Sequence, residues 1–311
     1  MPKGVPRLLR QLVRSPRNDL GTKGKTMKKI RLYMQLTKPR IIAMVLVTAS
    51  LGFYIAKGMI ESWMLLLWTL LGTYLVGSGS SVINHYMERD IDAKMERTQN
   101  RPLPLGLISP ESALIFGVNL LLIGLLILFL KVNVLTAFFA LLGAFLYNLV
   151  YTPMKRLTWW NTFVGSIPGA LPPLWGWTAA SGELHPGAWI LFAILLVWQH
   201  PHFFAIAWMY RKDYARADLK MLPVVEPDGE STFRQALLYS LILIPLSLAP
   251  VLCGIAGYWY FWGALFLGLA FFVTGVHFVR QKTVKSARVV LLASVIYLPL
   301  LFALIVGDSF V

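Results

Sequence analysis

The chain has 311 residues, 57% hydrophobic and 14% charged, with a mean hydropathy of +0.64. That is too apolar for an ordinary soluble domain and reads as a polytopic membrane protein. The net charge of +15 invites a nucleic-acid reading, which the placement of the charges excludes, and the single cysteine, Cys253, excludes an internal disulfide and any clustered-cysteine metal site.

Residues 1–35 form a basic leader with no apolar core of signal-peptide quality, so a cleaved secretion signal is not expected. A cytoplasmic tail that binds lipid headgroups explains its charges, and a mitochondrial transit peptide is the less favoured reading. Nine apolar segments of spanning length follow, near 41–57, 63–83, 111–130, 133–151, 161–181, 187–210, 235–252, 255–279 and 289–307. The expected fold is therefore an all-α, nine-transmembrane-helix bundle over residues 36–311. With the amino terminus inside, every one of the 29 basic residues except Lys57 and Lys131 falls on the cytoplasmic side. That asymmetry fits the positive-inside rule and puts the carboxyl terminus outside, in a bacterial inner membrane in preference to a mitochondrial one.

Gly72, Gly77, Gly79 and Ser80 in the second segment, and Gly165, Gly169 and Ala170 in the fifth, would let helices approach closely. Pro168, Pro172 and Pro173 imply a kinked or broken fifth helix. Two cytoplasmic connections, 88–110 and 211–234, each open with a charged helical turn and then pass through prolines, the pattern of a loose internal duplication.

The run Asn84-His85-Tyr86-Met87-Glu88-Arg89-Asp90-Ile91-Asp92 begins where the second apolar segment stops. At about 100° per residue, Asn84, Glu88 and Asp92 share one narrow stripe, and their oxygens are the hard donors that Mg²⁺ prefers. Asp90 points away from that stripe. A carboxylate at mid-bilayer costs at least about 2.5 kcal/mol, so these acids belong in a cytoplasm-facing vestibule. Arg97, Arg101, Lys155, Arg156, Arg211, Lys212, Arg216 and Lys220 supply cations suited to a diphosphate. Spacing alone leaves open a plain alternative, a solvated helix end with local ion pairs. Asp213 and Asp218 lie about 140° apart on an ideal helix and do not read as a matched second pair.

Asn84-x-x-x-Glu88-x-x-x-Asp92, followed by Arg97-Thr98-x-x-Arg101-Pro102-Leu103, resembles the first acidic motif of the UbiA-type intramembrane prenyltransferases. Five stretches are similar to the protohaem IX farnesyltransferases, or haem O synthases, of that family. They are Asp90-Ile91-Asp92-Ala93-Lys94-Met95, Tyr151-Thr152-Pro153-Met154-Lys155-Arg156-Leu157-Thr158, Asn161 with Gly165 and Gly169, Trp198-Gln199-His200-Pro201-His202-Phe203, and Asp213-Tyr214 leading to Met221-Leu222-Pro223-Val224-Val225. The likeness runs from about Thr37 to the carboxyl end.

The resemblance implies a helical bundle open laterally to lipid, which uses Mg²⁺ and farnesyl diphosphate to alkylate a vinyl group of haem B. Water supplies a hydroxyl, and haem O passes to a further haem-modifying enzyme. By the same carry-over, Asn84, Glu88 and Asp92 hold the metal, and Asp213 represents the second motif. Arg97, Arg101, Lys155 and Arg156 grip diphosphate oxygens. Tyr147, Tyr151 or Trp198 could face the developing farnesyl cation. His202 is the candidate for touching haem, with His200 and His85 behind it. Two departures stand out: Glu88 where the family usually has Asp, and Asp218 and Lys220 where a small residue and a proline are usual. A prenyltransferase for an aromatic quinone precursor and a solute transporter are the competing readings.

Overall fold

A computed structural model describes residues 29–308, and every regular element among them is a helix. In chain order these are α1 (Lys29–Leu36), α2 (Pro39–Ile55), α3 (Trp63–Met87), α4 (Arg89–Asp92), α5 (Pro110–Lys131), α6 (Val134–Leu157), α7 (Asn161–Ala170) and α8 (Pro172–Ser181). They continue as α9 (Pro186–Met209), α10 (Arg211–Arg216), α11 (Leu222–Val225), α12 (Glu230–Leu252), α13 (Tyr258–Gln281) and α14 (Val284–Asp308). The expectations for residues 1–28, the tail and the transit peptide, lie outside the described residues. The expected tail boundary at 35 falls within α1.

The helices start where the chain supplies a cap. Ser62 accepts from the Leu65 amide, Ser109 precedes Pro110 and accepts from Ser112, and Asn133 accepts from Thr136 at 2.8 Å. Each satisfies an amide that the first turn would otherwise orphan.

Seven of these helices are long and apolar enough to cross a membrane, and α1 with α2, bent by 50° at their break, would make an eighth. The count of nine is corrected at the fifth segment, which is two ten-residue helices meeting at Leu171. Pro172 and Pro173 have no amide hydrogen to carry α7 through the joint. The broken backbone is covered by protein: Pro168, Leu171, Pro172 and Pro173 are all buried. Irregular backbone is tolerated at membrane depth in just that circumstance.

Close helix contact follows the small residues. A Cβ on Gly79 would meet backbone atoms of Gly117 and Leu121 at 2.6 Å, and one on Gly124 would meet the Val76 amide at 2.7 Å, so α3 and α5 touch backbone to backbone. Gly52 and Gly176 do the same between α2 and α8, against Pro173 and Ala49.

In α6 the ladder widens to a π-turn over Leu146–Tyr151, immediately before Pro153. Pro153 cannot donate to the ladder, and Thr152 covers the disturbed turn by donating its hydroxyl to the Tyr147 carbonyl at 2.8 Å. Tyr147 and Tyr151 both sit on this turn. The α1–α2 elbow, the carboxyl ends of α3 and α6, and the loop after α4 meet at one end of the bundle.

Candidate active site

Asn84 and Asp92 are 1% exposed and Glu88 7%, so the three oxygen-bearing side chains are buried, not solvated. The helix is not continuous through them. Glu88 takes φ −96° and ψ 5°, closing α3 and opening α4. The spacing survives this joint because Glu88 donates its amide to the Asn84 carbonyl at 2.9 Å and Asp92 donates to Glu88 at 2.8 Å. Asp90 points outward as expected, with its side chain 72% exposed.

Each motif residue faces a cation from another part of the chain. Lys155 on α6 lies 2.6 Å from Glu88 Oε1. Arg101 Nη1 donates to both Asp92 oxygens at 2.8 and 2.7 Å. Lys38 Nζ donates to Asn84 Oδ1 at 2.8 Å and to the Tyr147 hydroxyl at 3.4 Å, while Asn84 Nδ2 donates to Thr152 at 3.0 Å. Lys155 also sits 4.5 Å from the centre of the Tyr151 ring.

Burial alone would raise the Glu88 carboxyl. The attraction of Lys155, then of Lys38, overcomes it and holds Glu88 below its ordinary range. At Asp92 burial wins, and the carboxyl stays above its ordinary range against the pull of Arg101.

Two carboxylates, Glu88 and Asp92, and the Asn84 amide thus face three basic side chains, Lys38, Lys155 and Arg101. The donor set fits Mg²⁺: Asn84, Glu88 and Asp92 present hard oxygens along one sealed stripe, too few to saturate the ion without phosphate oxygens or water.

Of the residues expected from sequence, Asn84, Glu88, Asp92, Arg101, Lys155, Tyr147 and Tyr151 are brought together. Asp213 stands one layer out. Its carboxylate accepts the Glu96 and Arg97 amides at 3.3 and 3.4 Å and the Arg216 guanidinium at 3.2 Å, tying α10 to the loop behind α4. Arg97 is exposed and lies 5.0 Å over the Tyr210 ring, and Arg156 is also exposed. Arg211 sits over Trp208 at 4.1 Å, while Lys212 and Lys220 are exposed. Asp218 is exposed with φ 56°, so Asp213 and Asp218 form no pair.

His202 belongs to the interface of α9 with α14: Nδ1 lies 2.8 Å from Ser294 Oγ, and its ring stacks on Trp198 at 5.3 Å. His200 faces the other way, stacked on Tyr239 at 3.9 Å with Nδ1 on the Leu196 carbonyl at 2.7 Å. His85 is buried 3.8 Å from Asp92.

The sequence reading missed Lys38, counting it only among the leader's cations. Its position directly before Pro39, at the head of the first apolar segment, was the available signal. The backbone there takes φ 51°, a left-handed turn that aims the ammonium inward at Asn84.

The UbiA prenyltransferase family matches residues 45–303. The protoheme IX farnesyltransferase of Solibacter usitatus is 46% identical over 288 residues, covering 90% of this chain and 99% of the relative. That of Salinibacter ruber is 49% identical, covering 89% and 98%. A solved structure of digeranylgeranylglyceryl phosphate synthase superposes with a TM-score of 0.77 at 19% identity, covering 91% and 99%. A UbiA homologue from Archaeoglobus fulgidus bound to DMAPP and Mg²⁺ gives 0.64 at 18% identity, covering 89% and 97%. These structural likenesses bear on the fold, and with the sequence match they show that this multi-pass chain belongs to the UbiA prenyltransferase family.

Proposed function

We propose that the chain transfers the farnesyl group of farnesyl diphosphate to a vinyl group of protohaem IX (haem B), with water added, giving haem O and diphosphate. The observation that carries this is the buried cluster in which Asn84, Glu88 and Asp92 face Lys38, Lys155 and Arg101. The names of its relatives, protoheme IX farnesyltransferases at 46% and 49% identity, support the choice of substrates.

Charge decides the mechanism. A prenyl diphosphate trianion with one Mg²⁺ carries about one net negative charge, which the basic side chains of the cluster are placed to offset. Bound Mg²⁺ would draw negative charge off the leaving oxygens as the allylic bond breaks. Asn84, Glu88 and Asp92 hold the ion. Lys38, Lys155 and Arg101 turn from these partners toward diphosphate oxygens, with Arg97 and Arg156 as outer cations that meet the headgroup first.

Asp213 sets the loop that carries Arg97 and Arg101. Tyr147 and Tyr151 offer ring faces to positive charge developing on the farnesyl carbon. The farnesyl tail gains little by leaving lipid for an apolar chamber, so the diphosphate end dominates recognition. His202 is the haem-facing residue. The site opens to the cytoplasmic side of the inner membrane.

Membranes carrying the chain, supplied with farnesyl diphosphate and either haem B or 4-hydroxybenzoate, should yield a farnesylated, hydrated haem by mass and no prenylated benzoate. Prenylation of the benzoate alone would sink this reading in favour of the quinone-precursor alternative.

A further inference from the structure

Resting on that reading, the reaction leaves one proton without a named acceptor. The farnesyl carbon bonds to the outer vinyl carbon while the allylic C–O electron pair departs with diphosphate. The cation left on the inner vinyl carbon then takes a water oxygen, and that oxygen must lose a proton. In apolar surroundings an unpaired protonated oxygen is costly, so a neutral base within reach lowers the barrier.

The chain has five histidines. His185 lies at the far end of the bundle and accepts the Gly187 amide on Nδ1, which puts its hydrogen on Nε2 and leaves no free lone pair. His277 is exposed on α13. His85 is sealed beside Asp92. His200 has a bare Nε2, but that atom is buried without a partner and the ring is shut in by Tyr239, Phe163 and Phe204.

His202 differs through Ser294. A serine hydroxyl has one hydrogen, and Ser294 donates it to the Leu291 carbonyl at 2.7 Å. Its oxygen can therefore only accept from His202 Nδ1, 2.8 Å away, so the imidazole carries its hydrogen on Nδ1 and presents a lone pair on Nε2. Trp198 fixes the arrangement twice, stacking on the ring and donating Nε1–H to the Ser294 carbonyl at 2.9 Å. The His202 side chain keeps some exposure, whereas that of His200 is buried.

We propose that His202 is the base of the hydration step: Nε2 takes the proton from the water that adds to the vinyl carbon, and Ser294 is the positioning residue that holds the productive tautomer. A neutral imidazole with its Nε2 lone pair uncommitted can take that proton from the water as its oxygen bonds to carbon.

The test compares His202→Gln and Ser294→Ala with the parent chain in membranes given Mg²⁺, farnesyl diphosphate and haem B. His202→Gln should lower kcat for hydrated product about 10²-fold with KM for haem nearly unchanged. Its residual product should shift toward the dehydrated farnesyl haem formed when the same cation loses a proton from carbon. Added imidazole should restore hydration in His202→Ala. Ser294→Ala keeps the ring and should lower kcat about tenfold while moving the pH–rate profile.

Hydrated product at the parent rate from His202→Gln overturns the assignment. So does a folded Ser294→Ala with unchanged kcat and pH profile, and so does loss of the haem iron's absorption shift in His202→Gln with hydration intact, which would make His202 an iron ligand. A parent chain that prenylates only 4-hydroxybenzoate removes the haem reading and this assignment with it.

Discussion

Lys155 and Glu88, 67 residues apart, meet at 2.6 Å with side chains only 15% and 9% exposed. The pair joins the end of α6 to the joint between α3 and α4, so it fixes the shape of the site as well as its charge. Removing one partner of a buried pair leaves the other charge uncompensated, whereas removing both can be nearly neutral. Lys155→Met should therefore destabilise the chain by about 3 kcal/mol, and Glu88→Gln with Lys155→Met should recover most of that loss without recovering turnover. Thermal unfolding in detergent beside a turnover assay separates the two effects. Equal stability of single and double variants would show that the pair contributes nothing structural.

Asp92 is held on both oxygens by Arg101, yet it is also the last member of the oxygen stripe. If its work is to hold a divalent ion against diphosphate, Asp92→Ala should insert normally and lose turnover by at least about 10²-fold. Chelation of divalent ions should take the parent chain to the same floor, and added Mg²⁺ should restore it. Full activity after chelation would remove the ion from the mechanism.

Asp213 touches no member of the cluster directly; it gathers two backbone amides and Arg216. Its loss should act through the 93–101 loop. Asp213→Ala leaves the Glu96 and Arg97 amides without an acceptor, a loss of about 1–3 kcal/mol. Hydrogen exchange should speed up across that loop while α12 to α14 stay protected, and KM for farnesyl diphosphate should rise more than kcat falls. A kcat loss with loop protection unchanged would mean that Asp213 reaches the reacting groups itself.

Much of this was legible in the sequence because membrane helices announce themselves by composition, and because i, i+4 spacing survives even a broken helix. Asn84, Glu88 and Asp92 share a stripe although Glu88 ends α3, since the amide-to-carbonyl steps on either side of the joint persist. What stayed hidden depends on contacts distant in sequence. The inward aim of Lys38 follows from a left-handed turn before Pro39 together with Asn84, 46 residues later. Asp213 meets the loop at Glu96, 117 residues earlier. The ideal-helix comparison of Asp213 with Asp218 did not apply, because α10 stops at Arg216 and Asp218 turns left-handed. At φ 56° residue 218 lies in the left-handed region, which Asp tolerates better than most side chains.

Gly165 gives the sharpest test of how the tyrosines are held. A Cβ at this position would run into the Tyr151 ring, so α7 can lie against the π-turn only while residue 165 has no side chain. Tyr151 in turn backs Lys155, whose ammonium lies 4.5 Å over its ring and 2.6 Å from Glu88. Gly165→Ala should thus push Tyr151 off its seat and drag the Lys155–Glu88 pair with it. Overpacking of this kind costs about 1–3 kcal/mol, enough to lower stability without unfolding the bundle. Turnover should fall by more than the stability loss explains, and Gly165→Ala with Tyr151→Leu should regain stability but not rate, because the space returns while the aromatic face does not. If instead the double variant regains full turnover, the face of Tyr151 takes no part in stabilising the farnesyl cation and its role reduces to filling space.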